Sequence, residues 1–124
     1  MNEPESTRDQ KLAATRARMA ELASRFLDRT EVDIASMRTG LDRLASGDAG
    51  PLDEIRHLAH RMVGTGATLG FESLSERARA IERLTEGCTT GVVPDDATRA
   101  QLVDALDALC DEFSRQSRRR DSTA

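Results

Sequence analysis

Apolar residues in this chain recur at steps of three and four over most of its length, a spacing that puts them on one face of a helix and not of a strand. Leu12, Met19, Leu22, Phe26, Thr30, Ile34, Met37, Leu41 and Leu44 form the first stripe, read as one kinked helix or as a short helix followed by a longer one. Gly47-Asp48-Ala49-Gly50-Pro51 ends it, and Pro51 stands where a first helical turn needs no N–H. Leu52, Ile55, Leu58, Ala59, Met62, Val63 and Leu69 mark a second helix closing at Gly70. Phe71, Leu74, Ala78, Ile81 and Leu84 mark a third, stopped by Gly87. After a linker over 88–93, Pro94-Asp95-Asp96 opens a last helix with the stripe Leu102, Val103, Leu106, Leu109, Cys110 and Phe113. Three Phe and neither Trp nor Tyr leave little of the material that strands draw on. Short connections make successive helices antiparallel neighbours. The expected architecture is therefore all-α, an up-down-up-down four-helix bundle with an N-terminal helical extension. Within the 124 residues the spacing predicts a disordered stretch over 1–9, one bundle domain over 10–115 and a polar, basic tail over 116–124.

Several functions are disfavoured at once. The apolar runs are too short for a bilayer span, and the start MNEPESTRDQK has no apolar signal region, so the chain reads as soluble and cytoplasmic. A net charge of −4 with both signs interspersed argues against nucleic acid, and the run Arg118-Arg119-Arg120 reads as a solvated end. Cys88 and Cys110 have no metal-ligand spacing, and Cys110 falls on the apolar stripe as a reduced core thiol. Nothing calls for an obligate dimer, and a monomer is expected.

The stretch HRMVGTGATLGF, residues 60–71, has the glycine content of a phosphate loop. A Walker loop needs Gly-Lys-Ser or Gly-Lys-Thr after a strand, and the only lysine in the chain is Lys11. A dinucleotide loop needs G-x-G-x-x-G between strand and helix, whereas here the spacing is G-x-G-x-x-x-G with helical flanks. The glycines therefore lie on a helix, each at a cost of about 1 kcal/mol relative to Ala. With His60 at zero and about 100° per residue, Leu58, Leu69, Met62, Ile55, Gly66 and Ala59 fall between roughly 160° and 260°, the core face. Gly66 is then inside, where it permits close helix packing. Gly64 at about 40° and Ala67 at about −20° flank His60 on the solvent side, leaving bare backbone one turn after an exposed imidazole. A metal reading fails by count: Glu54-x-x-His57 and His57-x-x-His60 supply only two histidines, both on the face away from the core, where a di-iron bundle needs two such motifs and two more carboxylates.

Ala59-His60-Arg61-Met62-Val63-Gly64, followed by Leu69-Gly70-Phe71, Leu74, Ala78 and Ile81-Glu82, resembles the signature of the histidine-containing phosphotransfer (HPt) domain. Phe26-Leu27 through Leu44-Ala45-Ser46-Gly47-Asp48 resembles that family's lead-in helix, so the likeness spans about residues 10–115. It implies a relay in bacterial two-component signalling, with His60 accepting and donating a phosphoryl group in exchange with the aspartates of receiver domains. The partners implied are response-regulator receivers or a hybrid histidine kinase. No cofactor of its own is implied, since the receiver brings Mg²⁺, and without a nucleotide site the chain has no ATP-dependent kinase activity of its own.

One position departs from the family. Three residues after the histidine, where the family usually carries lysine, this chain has Val63. Arg56, at about −40° and one turn before His60, is the best-placed cation to replace it, unless an ion pair with Asp53 or Glu54 holds it; Arg61 lies at about 100°. His57, exposed at about 60°, reads first as an ordinary surface histidine, with orienting His60 or shaping the docking face as the alternative. A receiver is expected to approach His60, Gly64 and Ala67 with parts of the 71–86 helix. Val63 also leaves open a degenerate relative that docks on a kinase or receiver without carrying phosphate, and a plain helical interaction module would be indifferent to replacement of His60.

Overall fold

The computed structural model describes residues 5–122. Among them are four helices: α1 (Glu5–Ala45), α2 (Pro51–Thr68), α3 (Glu72–Glu86) and α4 (Asp96–Ser122). Each packs against the next and α4 closes back on α1, so the expected up-and-down four-helix bundle is the fold. The core gathers Leu27, Met37 and Leu44 of α1 with Ile55, Ala59 and Met62 of α2, Leu74, Ala78 and Ile81 of α3, and Leu102, Leu106 and Leu109 of α4.

The turns follow from local chemistry. Gly70 adopts φ +85°, and beyond it the Phe71 N–H reaches the Gly66 carbonyl at 2.8 Å while the Gly70 N–H reaches that of Ala67 at 3.3 Å. This left-handed cap satisfies the last carbonyls of α2 and turns the chain into α3. Pro51 opens α2, and the Asp95 carboxylate caps α4 by accepting the Thr98 N–H at 2.8 Å.

Both ends of the bundle are more helical than the apolar spacing implied. α1 is one uninterrupted helix that already includes residues 5–9, expected to be disordered; residues 1–4 lie outside the described residues. Leu12 and Met19, counted in the first stripe, are 49% and 45% exposed, and the buried stripe begins at Phe26. The projecting turns are rich in Ala and Arg, and an Arg25–Glu21 pair at 2.6 Å, one turn apart, supports their junction with the bundle. At the other end α4 runs through the expected tail to Ser122. Arg120, read as part of a solvated run, crosses to α1 and donates to the Ser24 carbonyl at 3.1 Å and to Asp28 at 2.9 Å. Val103 is exposed, not part of the α4 core stripe.

Three carboxylates make stability pH-dependent in one direction. Gln116 and then Arg115 hold the Glu112 carboxyl below its ordinary 4.5, and the Gly50 N–H and Arg43 lower Asp48 below 3.8, as the Thr98 hydroxyl and N–H do Asp95. A folded-state value below the unfolded one adds stability that is complete above the unfolded value and is lost as pH falls through the folded value. Melting temperature is therefore expected to drop as pH falls below 4.5 and again below 3.8, and Glu112→Gln should flatten the first part of that drop in circular-dichroism melts. A melting temperature that rose on acidification would contradict these assignments.

Candidate functional site

His60 projects from the middle of α2, between the buried Ala59 and Met62 that fix the helix on the core. Its side chain is 73% exposed, and Nδ1 is hydrogen-bonded to the Oε2 of Glu82 on α3, whose own side chain is only 15% exposed. An ionised carboxylate only accepts, so in the neutral ring this contact selects the tautomer with the proton on Nδ1 and the lone pair on Nε2, at the other edge of the ring. The arrangement fixes both the tautomer and the ring plane of an imidazole that stands in solvent.

The two sides of His60 differ in charge. Toward α3, a hollow is lined by Asp53, Glu54, Glu82 and Glu86, with Arg56 and His57 between them. Toward α1, a groove of about 680 Å³ begins at His60 and Arg61 and follows Gly64, Thr65, Thr68 and Leu69. Its floor is Phe26 and Met62, and Arg25 and Arg29 stand on the α1 wall. α1 and α2 meet closely at Gly40, where a Cβ would come within 3.1 Å of Ile55 and 3.2 Å of Pro51. Farther along, the bulk of Phe26, stacked on Phe71 with ring centroids 5.2 Å apart, occupies the space between the helices.

The residues named from the sequence fall around this histidine in different roles. Gly64 is exposed and lines the groove, and a Cβ there would meet nothing within 4 Å, so packing does not require glycine. Gly66 is buried, with a Cβ position 3.4 Å from the Phe26 ring and 3.5 Å from the Phe71 carbonyl. Ala67 is exposed but does not line the groove. Arg56 donates to Asp53 at 2.5 Å, the ion pair that the sequence offers as its alternative to serving His60. His57 is exposed on the acidic side, and the group bonded to the ring is Glu82. Val63 is half-buried against the core, and its carbonyl accepts the Ser75 hydroxyl at 2.8 Å.

Arg61 turns toward α1, where one terminal nitrogen donates to both oxygens of Asp33 at 3.2 and 3.0 Å. Asp33 was not singled out by sequence reasoning, although the signal was there: a carboxylate on the buried stripe between Thr30 and Met37. Glu82 was visible only as part of a motif, beside the core residue Ile81. Among the described residues, no three His, Cys, Asp or Glu side chains come together as a metal-binding group. No described helix is long and apolar enough to cross a membrane.

The class is that of an all-α four-helix bundle that holds the imidazole of His60 out from mid-helix, tethered at Nδ1 to Glu82. The family model of the Hpt domain matches residues 21–115, well over half of the chain, and the chain belongs to that family. A phosphotransfer-related role in two-component signalling follows, in a family whose members interact with receiver domains and kinases of phosphorelays. No curated protein matches the chain.

Proposed function

We propose that His60 is the phosphorylated residue of a relay, taking a phosphoryl group from the aspartyl phosphate of one receiver domain and handing it to the aspartate of another. The observation that carries this reading is the exposed ring with Nδ1 on Glu82 and a free Nε2. In the forward step the Nε2 lone pair forms the N–P bond as the P–O bond to the receiver's aspartate breaks, and the aspartate leaves as a carboxylate. No proton has to move, because the ring keeps its Nδ1–H and the positive charge it gains faces the Glu82 carboxylate. Such transfer depends on in-line positioning and charge stabilisation more than on covalent assistance. Mg²⁺ and its acidic pocket come with the receiver.

The partner approaches over the α1 side of His60, across Gly64 and the groove, because the α3 side sets four carboxylates against an incoming phosphate. The test is transfer of radiolabel from a panel of phosphorylated receivers, and from a hybrid kinase, to this chain. Acid-labile, base-stable label is expected. Receiver binding without label on the chain would overturn the relay and leave a docking regulator.

Glu82 has a measurable share in this. Glu82→Gln keeps an acceptor for Nδ1–H but not the charge, and Glu82→Ala keeps neither. Carboxylates that orient metal-ligating histidines are worth on the order of 10–100-fold in affinity or activity, and by that analogy transfer to Glu82→Ala should be slowed by about the same factor. Glu82→Gln should fall between it and the native chain, and equal rates for all three would remove Glu82 from the site.

A further inference from the structure

We propose that Arg61 and Arg29, gathered on the buried carboxylate of Asp33, supply the positive charge that receives the phosphoryl group on His60. The proposal rests on the relay reading above and names how this chain stabilises the charge that its histidine takes up.

The argument begins with Asp33. Its side chain is 7% exposed, on a helix face otherwise given to Thr30, Ile34 and Met37. Burying a carboxylate is costly unless paired, and here two guanidiniums meet it: Arg29 through Nε at 3.2 Å and Arg61 through a terminal nitrogen at 3.0 Å. The triad carries a net positive charge, and both guanidiniums remain largely in reach of solvent, at 62% and 41% side-chain exposure. Each guanidinium has five N–H donors in a planar fork suited to phosphate oxygens, and the contacts to Asp33 use one nitrogen of each.

Position completes the case. Arg29, Asp33, Arg61 and His60 line the same groove. Glu82 holds Nδ1 toward α3, so Nε2 and anything bonded to it lie on the edge of the ring away from that carboxylate. The other basic residues nearby are engaged elsewhere: Arg56 with Asp53 on the acidic side, and Arg25 with Glu21 at 2.6 Å. Asp33 acts as a positioning residue. It draws Arg29 from its own helix, α1, and Arg61 from the facing one, α2, to a common point, and its negative charge is outnumbered there.

Phosphoramidate, a small phosphodonor that needs no receiver docking, isolates this effect. The full chain, Arg29→Gln, Arg61→Gln, the double variant and Arg61→Lys are incubated with it, and labelling of His60 and decay of the label are followed. Glutamine retains a donor for Asp33, and thermal melts verify that each variant is folded. The double variant should label on the order of tenfold more slowly, each single variant less so, with Arg61→Lys recovering most of the rate. Added salt should slow the native chain toward the double variant and leave the double variant nearly unchanged, a response that a merely structural role would not give. Native-rate labelling of a folded double variant would overturn the proposal alone. Absence of label on the native chain, from phosphoramidate and from receivers alike, would overturn the relay reading and this proposal with it.

Discussion

His60→Gln should hold no acid-labile phosphoryl label from any receiver that loads the native chain, and should melt within a few degrees of it. Both halves follow from the same geometry. The imidazole is 73% exposed and touches the rest of the protein through Glu82, so removing it opens no cavity. The glutamine amide supplies an N–H donor to the same carboxylate, and a surface replacement of this kind stays within about 0.5 kcal/mol. What is lost is the nitrogen lone pair, for which His57 is no substitute, being a turn away on the acidic side without the Glu82 tether. Label persisting on the variant would place the acceptor elsewhere and remove the central argument for the site.

Gly64→Glu should separate folding from function in the opposite sense, gaining stability while losing transfer. A Cβ at 64 meets nothing within 4 Å beyond its own stretch of helix, and replacing a mid-helix glycine by a better helix former is worth roughly 0.5–1 kcal/mol. The same open space is where a receiver must lie to bring its aspartate to Nε2. A glutamate there adds bulk and a carboxylate facing an aspartyl phosphate, and like charges brought together at an interface cost several kcal/mol, so transfer should fall by on the order of 100-fold. Gly64→Ala is the companion variant: stabilised to a similar degree, with transfer close to native. Equal transfer rates for Gly64→Glu and the native chain would mean that the partner approaches over a different face.

The positions of α2, α3 and the core of α4 are legible in the sequence because periodicity reports which residues are buried, and Ile55, Ala59, Met62, Leu74, Ala78, Ile81 and Leu106 are all buried as their spacing requires. The same signal is blind to helix that buries nothing. The projecting turns of α1 before Glu21 and the last turns of α4 form from propensity and polar pairing, so an apolar stripe could not show where either helix ends. Exposure of His60 and Gly64 and burial of Gly66 were likewise readable on one helical wheel, since all three depend on α2 alone. The partners of the polar residues were not. Glu82 reaches His60 across 22 positions and Asp33 reaches Arg61 across 28, and such pairs depend on the axial register between helices, which a pattern within one helix does not contain.

The tether between His60 and Glu82 has a thermodynamic meaning beyond its role in choosing the tautomer. A side chain on a helix surface ordinarily explores several rotamers, and a reaction that needs one of them must pay for that choice at each encounter. Here the ring is set before a partner arrives, by a neighbour on a different helix of the same rigid bundle. The loss of freedom is charged once, to folding, and not to every phosphoryl exchange. In the relay proposed above, an acceptor prepared in this way asks little adaptation of its partner, whose contribution is then reduced to bringing its own aspartate into line.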